Sequence, residues 1–354
     1  MVRNAVLLIF TGGTICMSAD PVTGALKPVE VRHLREYVPD IFNNDLKIDF
    51  LPFEPLVDSS DMQPIVWARL AKTIFDKYDD YDGFVVLHGT DTMAYTASAL
   101  SFMLENLAKP VIFTGSQLPM GFRRSDAKEN LLTAIEMATA RDNDQRPIVQ
   151  EVCIFFEDKL YRANRTTKQN AEHFDAFNSY NYPILAKAGV HIQYNTPFLH
   201  HNAVNKRLKL NIKVDQNVAI LKLFPGISEQ TVRAILNIPN LHAVILETYG
   251  SGNASRVQWL HDALKEAVDK GIIIVNKTQC LTGSVEMGKY ETSLPLIEAG
   301  VISGYDITTE ALVTKLMYLL GENPNQTDVV KRLIQKSLCG ELTSEGTNQM
   351  TNQF

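Results

Sequence analysis

The sequence lacks the features on which membrane, disulfide-stabilised and nucleic-acid-binding proteins depend. No apolar run approaches the roughly 18 residues that a membrane-spanning helix needs. The 354 residues include only four cysteines, without C-x-x-C spacing: Cys16, Cys153, Cys280 and Cys339. A disulfide framework or zinc knuckle is therefore not expected, and a reducing compartment fits best. Acidic residues (40) outnumber basic residues (34), and the resulting net charge of −6 disfavours a nucleic-acid partner.

The apolar run near the N-terminus is too short for a secretory signal peptide. It covers Ala5–Phe10 and stops at Thr11-Gly12-Gly13-Thr14, with no small-residue cleavage site behind it. We therefore expect a first buried strand here, no membrane partner and a cytoplasmic location.

Short apolar runs alternate with segments of helical period along the rest of the chain, which is typical of a parallel α/β sheet. The predicted strands are Val6–Phe10, Phe84–Leu87, Val111–Thr114, Val152–Phe156, Val218–Leu223, Ala243–Leu246 and Ile272–Val275. Helices are predicted over Trp67–Tyr78, Val257–Val268, Thr309–Leu320 and Thr327–Leu338.

The length favours two domains, and the most irregular segment suggests where they meet. Asn195–Asn211 contains a proline, two histidines and three basic residues, with no sustained period. We predict an N-terminal domain at 1–194 with most candidate catalytic residues, a flexible linker at 195–212 and a C-terminal α/β domain at 213–354. The polar tail, Glu341–Phe354, is expected to be frayed.

Loops rich in hydroxyl groups follow three strand-like segments. Thr11–Ile15 follows the first strand, His88–Met93 follows Phe84–Leu87, and Asp58–Met62 follows Ile48–Phe53. Open α/β sheets bind ligands at the carboxyl ends of their strands, so these loops are candidates for a site. Each also has a structural interpretation: a glycine turn for the first loop, and helix caps for Thr90, Asp91 and the loop before Pro64.

Two further segments have an undecided role on sequence alone. Lys168, in Asn164-Arg165-Thr166-Thr167-Lys168, is by default a solvated surface charge. If the fold brings it beside Thr90 and Asp91, its ammonium would lower the cost of deprotonating a threonine hydroxyl. Met17–Glu30 is either a lid that excludes water or an ordinary surface loop. The eight histidines never fall at metal-ligand spacing, so no metal site is expected.

Five short segments together resemble the bacterial-type L-asparaginases. They are TGGTI (Thr11–Ile15), DSSDM (Asp58–Met62), HGTDTM (His88–Met93), RTTK (Arg165–Lys168) and YGSGN (Tyr249–Asn253). The resemblance runs over nearly the whole chain and is nearest to the cytoplasmic type I group. It implies a larger N-terminal domain with a mostly parallel sheet, a smaller C-terminal α/β domain and a homotetramer built as a dimer of dimers. It also implies hydrolysis of L-asparagine to L-aspartate and ammonia without metal or cofactor.

The resemblance implies a role for each matching residue. Thr14 matches a nucleophile that attacks the side-chain amide to give an acyl-enzyme. Thr90, Lys168 and Asp91 match a second catalytic set, in which Asp91 also receives the α-ammonium of the substrate. The remaining substrate-binding positions are Asp58, Ser59, Ser60, Gly89 and Ser116. Loop N–H groups around Gly89 and Thr90 are expected to stabilise the oxyanion.

The sequence departs from the family pattern in the predicted lid. Gly24-Ala25-Leu26 occupies the stretch that usually supplies a tyrosine to the nucleophile.

Three rival functions stay open: a broader glutaminase–asparaginase or another ω-amidase, a transfer-RNA-dependent amidotransferase subunit, and a catalytically silent amino-acid sensor. The net charge disfavours the second, and the combination of Thr14, Thr90, Asp91 and Lys168 argues against the third.

Overall fold

A computed structural model describes residues 4–19, 26–28, 38–39, 46–201, 206–289 and 291–343. The chain divides into two compact units, Met1–Asn211 and Ile212–Phe354. The larger first unit contains an eight-stranded sheet and the second a four-stranded parallel sheet. The predicted α/β class, with a larger N-terminal and a smaller C-terminal part, is confirmed.

The first unit contains strands β1 to β14. They are β1 (Asn4–Phe10), β2 (Met17–Ala19), β3 (Leu26–Pro28), β4 (Leu46–Pro52), β5 (Gly83–Leu87), β6 (Leu104–Glu105), β7 (Val111–Thr114), β8 (Val152–Phe156), β9 (Lys159–Arg162), β10 (Thr167–Lys168), β11 (Phe177–Asn178), β12 (Ala186–Lys187), β13 (Gln193–Tyr194) and β14 (Lys209–Leu210). The main sheet has the order β13-β12-β9-β8-β7-β5-β1-β4. It is parallel from β4 to β8 and antiparallel from β8 to β13.

The central strands of this sheet are apolar along their whole length because both faces are covered. Six of the seven residues of β1 are buried, and all five residues of β5 are buried. In the described part of this unit, the helices that accompany these strands are α1 (Pro64–Asp76), α2 (Met93–Met103) and α3 (Ala127–Thr139). Since β1, β4, β5 and β7 run parallel, their carboxyl ends meet at one edge of the sheet. The loops that leave this edge carry all the predicted site residues except Lys168, which follows β9.

The second unit places its four strands in sequence order, β15-β16-β17-β18. They are β15 (Val218–Lys222), β16 (Ala243–Thr248), β17 (Ile273–Thr278) and β18 (Ile302–Ser303). Its helices are α4 (Glu229–Leu236), α5 (Gln258–Asp269), α6 (Leu294–Glu298), α7 (Thr309–Glu322) and α8 (Thr327–Ile334). Alternate residues of β16 enter two different cores: Val244 packs in one, and Ile245 in the other.

The segment predicted as a flexible linker instead packs, where it is described, on the first unit. Leu199 is buried, and the carbonyl of Phe198 accepts hydrogen bonds from Arg162 and from the Tyr182 hydroxyl, both at 3.0 Å. Farther on, β14 pairs with β6. Residues 202–205 lie outside the described residues, and the domain limits 1–194, 195–212 and 213–354 stay a prediction.

The predicted fraying of the C-terminal tail is wrong for its first residues. The side chain of Glu341 is fully buried and pairs with Lys315, so burial and charge pairing hold this part of the tail. Residues 344–354 lie outside the described residues. Within the described ranges, no helix is both long and apolar enough to cross a membrane.

Candidate active site

Glycines bring the three hydroxyl-rich loops into close contact at the carboxyl edge of the first sheet. Gly12 (φ +138°) and Gly13 (φ +88°) adopt backbone conformations that other residues rarely take. A Cβ at Gly13 would overlap the backbone of Gly89, and a Cβ at Gly89 would overlap the side chain of Ser59. Thr14 follows directly, half-buried, as the first residue of a 3₁₀ turn. The predicted nucleophile therefore lies on a loop packed against the loop of Thr90.

The loop after β5 is fixed by hydrogen bonds from both neighbouring strands. Thr11 donates its backbone N–H and its hydroxyl to the carbonyl of Leu87, at 3.0 and 2.9 Å. On the other side, the N–H of His88 donates to the carbonyl of Thr114 at 3.0 Å. These contacts hold the start of the His88–Met93 loop at the sheet edge.

His88 fixes the peptide group that precedes Thr90. Its Nδ1 lies 2.7 Å from the carbonyl oxygen of Gly89 and must donate, since a carbonyl oxygen can only accept. Burial lowers the pKa of His88 to about 4, so the imidazole is neutral near pH 7. In a trans peptide the N–H points away from the C=O, so the Thr90 N–H is aimed away from His88. This orientation suits the predicted oxyanion role.

Lys168 lies beside Thr90 and Asp91, which is the condition under which sequence reasoning gave it a catalytic role. Its Nζ donates to Thr90 Oγ1 at 2.8 Å and to Asp91 Oδ1 at 2.6 Å. The lysine side chain is 17% exposed and the aspartate side chain 64% exposed. The default interpretation of Lys168 as a solvated surface charge is therefore wrong.

Local structure delivers Lys168 to this position. The chain leaves β9 through a 3₁₀ turn at Ala163–Arg165, and the hydroxyl of Thr166 closes the turn by donating to the carbonyl of Arg162 at 2.7 Å. Strand β10, which contains Lys168, then pairs with β11. The helix-cap interpretation of Thr90 and Asp91 is also wrong, because Thr92 is the N-cap of α2.

The predicted substrate-binding segment also forms a 3₁₀ turn, Ser59–Asp61. Asp58 Oδ1 accepts from the N–H and the hydroxyl of Ser60, at 2.8 and 2.7 Å. These two bonds lower the pKa of Asp58, which keeps it ionised. Ser59 is buried, and its carbonyl accepts from the Thr92 hydroxyl at 2.7 Å. Asp58 thus caps its own turn rather than α1, which begins at Pro64 without a side-chain cap.

Sequence reasoning assigned Ser116 to the substrate pocket, whereas in the structure the side chain of its neighbour Gln117 approaches Thr90. Ser116 is buried, and its hydroxyl donates to the carbonyl of Leu118 in its own loop at 2.6 Å. Gln117, to which sequence reasoning gave no role, instead reaches the site, with Oε1 lying 3.5 Å from Thr90 Oγ1. Its place three residues beyond β7, at the carboxyl edge of the sheet, was the available signal.

Two predictions concern features that the structure describes only in part. Met17–Ala19 and Leu26–Pro28 pair as antiparallel strands, whereas residues 20–25 and 29–30 of the predicted lid lie outside the described residues. Gly24 and Ala25, in the stretch where the family tyrosine is missing, fall in that part. Among the described residues, no group of three or more His, Cys, Asp or Glu side chains could hold a metal ion.

Comparison with known proteins gives the family. Residues 5–199 match the family model Asparaginase, N-terminal, and residues 217–333 match the Glutaminase/Asparaginase C-terminal domain. The chain is 46% identical to L-asparaginase 1 of Escherichia coli K12, over 98% of this chain and 100% of that protein.

Solved structures agree. L-asparaginase I from Vibrio cholerae superposes with a TM-score of 0.87 at 42% identity, covering 97% of this chain and 100% of the other. The thermostable L-asparaginase from Thermococcus kodakarensis has a TM-score of 0.86 at 32% identity, covering 96% and 99%. The sequence match, the common fold and the loops assembled at the sheet edge lead to one conclusion: the chain belongs to the asparaginase family.

Proposed function

We propose that the protein hydrolyses L-asparagine to L-aspartate and ammonia, with Thr14 as nucleophile. The observation that carries this proposal is the position of Lys168 Nζ, 2.8 Å from Thr90 Oγ1 and 2.6 Å from Asp91 Oδ1. A lysine held between a hydroxyl and a carboxylate is suited to charge and proton transfer at a threonine oxygen. Family membership supports the substrate class.

The charges at the site suit a free amino acid. Asp91 offers a largely exposed carboxylate to an α-ammonium group, and its Oδ2 accepts no hydrogen bond from the described residues. The turn at Asp58, Ser59 and Ser60 offers the hydroxyl and backbone N–H of Ser59 to the α-carboxylate, while the bonds from Ser60 to Asp58 hold the turn in shape. With Gly89 and Ser116 completing the substrate pocket, the ω-amide is left to face Thr14 and Thr90.

The proposed reaction has two steps that balance. Thr14 Oγ attacks the amide carbon, the oxyanion is stabilised by N–H groups near Gly89 and Thr90, and the C–N bond breaks as nitrogen leaves with the hydroxyl proton as ammonia. Water then attacks the resulting aspartyl ester, and the proton returns to Thr14 Oγ. Thr90, Lys168 and Asp91 supply and accept protons and stabilise charge in these steps, and the chemistry uses no metal or cofactor.

Ammonia release from L-asparagine and L-glutamine tests the proposal. We expect turnover of L-asparagine by the wild type, strong preference over L-glutamine, and loss of turnover in Thr14→Ala and Lys168→Met. Thr73→Ala and Lys72→Met are matched controls, since both residues lie on the exposed face of α1. Equal rates for both amides would replace the asparagine-specific proposal with a broader ω-amidase. Binding of asparagine without ammonia release would favour an amino-acid sensor.

We also propose a cytoplasmic homotetramer, built as a dimer of dimers, with no nucleic-acid or membrane partner. The resemblance to type I asparaginases supports the tetramer. The net charge of −6 supports the expectation that the protein does not bind nucleic acid. Sedimentation equilibrium tests the assembly. A monomer at micromolar concentration would contradict it.

A further inference from the structure

Gln117 lies on a loop that is fixed from the N-terminal end of α3. Its backbone N–H lies 3.1 and 3.0 Å from the two carboxylate oxygens of Asp126, and the N–H of Leu118 donates to the same carboxylate at 3.2 Å. Asn130, which is buried, donates to the carbonyl of Gly115 at 2.9 Å and to Asp126 at 3.2 Å. The backbone of Gln117 therefore has little freedom to move.

The carboxamide of Gln117 is held in one orientation. Its Nε2 donates to the carbonyls of Ala171 and His173, at 3.3 and 3.0 Å. Because carbonyl oxygens only accept, the nitrogen end must face these two residues and Oε1 must face the other way. On that side lies the hydroxyl of Thr90, with its oxygen 3.5 Å from Oε1.

The hydroxyl of Thr90 has one proton, and its direction determines how the oxygen meets Lys168. An ammonium group only donates, so Thr90 Oγ1 accepts from Lys168 and must give its own proton to another acceptor. Among the described residues, Gln117 Oε1 is the acceptor within hydrogen-bond distance. An acceptor at this point keeps a lone pair of Thr90 directed at Lys168.

We propose that Gln117 is a positioning residue that orients the Thr90 hydroxyl towards Lys168. It does so by joining Thr90 to the 171–173 segment, which follows Lys168 by three residues. The carboxamide of Gln117 thus contacts Thr90 directly and is connected to Lys168 through the chain segment that leads to residues 171–173. The catalytic consequence rests on the proposed function, whereas the contacts of Thr90 with Gln117 and with Lys168 do not.

Gln117→Met tests the positioning role by activity. Methionine matches the length of glutamine and removes both hydrogen-bonding functions. Because the α-groups of the substrate bind elsewhere, kcat is expected to fall about tenfold while KM changes less than about threefold. Gln169→Met is the matched control: its Nε2 also donates to a backbone carbonyl, that of Asp175 at 3.1 Å, but it does not contact Thr90. Unchanged kcat, or a change confined to KM, would overturn the proposal.

Gln117→Glu gives a second measurement that does not need asparaginase activity. A carboxylate at position 117 adds a negative charge near Lys168, beside Asp91 and with Asp126 behind the loop. Lys168 is then expected to keep its proton to higher pH, so that its acetylation by acetic anhydride, quantified by peptide mass spectrometry across pH, begins later. Gln258→Glu, at an exposed position of α5 in the second unit, should leave this profile in place. Equal profiles for Gln117→Glu and wild type would overturn the proposal even if the wild type releases no ammonia, an outcome that would refute the proposed function alone.

Discussion

Two lysine–carboxylate pairs, one in each unit, have the same N–O distance but opposite surroundings. Lys168 and Asp91 lie 2.6 Å apart with side-chain exposures of 17% and 64%, whereas Lys315 and Glu341 lie 2.6 Å apart with both side chains fully buried. Lys315 also donates to the carbonyls of Ile334 and Lys336, and Glu341 accepts from the N–H groups of Leu338 and Cys339. The buried pair joins the segment around Glu341 to α7. In the partly exposed pair, Lys168 instead donates to the hydroxyl group of Thr90.

The difference teaches that distance alone does not distinguish a structural pair from a reactive one. Burial raises the pKa of Glu341, but Lys315 and the backbone N–H groups outweigh burial, so its pKa lies below the usual range and the carboxylate stays charged. Its hydrogen bonds are all made within the protein. Asp91 retains an exposed carboxylate oxygen, and Lys168 contacts a group that can react. Unused bonding capacity facing solvent is what makes the first pair suitable for catalysis.

Lys168→Met is expected to give the largest functional effect. Removing the ammonium beside Thr90 should lower kcat about 10²- to 10⁴-fold, the usual size of an acid–base contribution. Because Asp91 is mostly exposed and becomes hydrated, the free energy of unfolding should change by less than about 1 kcal/mol. Ammonia release and urea unfolding measure the two effects. A loss of stability as well as activity would show that the Lys168–Asp91 pair stabilises the fold as the Lys315–Glu341 pair does, which would contradict the comparison.

Lys315→Met is expected to give the largest loss of stability. The substitution leaves the Glu341 carboxylate buried without its counter-ion, which typically costs about 3–5 kcal/mol. Methionine has nearly the volume of lysine, so the loss reflects charge rather than a cavity. Denaturant unfolding followed by circular dichroism measures it. An unfolding midpoint equal to that of wild type would show that the buried pair contributes nothing.

His88 extends the comparison to a buried base without a charged partner. Its pKa is about 4 in the folded protein against 6.5 ordinarily, so the unfolded chain binds a proton that the folded chain excludes. Above pH 6.5 His88 is neutral in both states and does not affect the free energy of unfolding. As pH falls from 6.5 towards 4, proton binding stabilises the unfolded chain alone, so the free energy of unfolding decreases by about 3 kcal/mol. In His88→Asn, the free energy of unfolding should depend less on pH by about that amount. Parallel pH dependences for variant and wild type would contradict this expectation.

The exposed pair Lys72–Asp76 on α1 provides the smallest effect. Its atoms approach to 2.7 Å, yet the side chains are 60% and 51% exposed. Solvent screening limits such a pair to about 0.5 kcal/mol, so Lys72→Ala should shift the urea midpoint only slightly and leave ammonia release unchanged. A loss above about 1 kcal/mol would show that exposure does not govern the worth of these pairs.

The sequence predicts the central sheet well because its strands are buried on both faces. Val111–Thr114 and Val152–Phe156 form strands within the predicted limits, since a continuous apolar run leaves little doubt about burial. The antiparallel strands β12 and β13 are two residues long and contain Lys187 and Gln193. They owe their existence to pairing with distant residues, and no local period marks them.

In the candidate site too, features set by the local sequence could be predicted, and contacts between residues distant in sequence could not. Loops at strand ends identify Thr14 and Thr90 as candidates, because the parallel sheet brings such loops to one edge. The contact of Lys168 with Thr90 spans 78 residues of sequence, and that of Gln117 with Ala171 spans 54. Contacts at these separations depend on the 3₁₀ turn before β10 and on side-chain orientation. Sequence reasoning could state the contact of Lys168 with Thr90 only as a condition, which the resemblance then favoured, and it did not foresee the contact of Gln117 with Ala171.

The most direct test of the central claim is to locate the acyl group. Wild-type protein mixed with L-asparagine is quenched in acid during turnover, digested and analysed by tandem mass spectrometry, with Thr14→Ala treated in parallel. The proposal predicts one aspartyl ester on Thr14 in the wild type and none in the variant. An ester on Thr90, or ammonia release by Thr14→Ala at the wild-type rate, would contradict it.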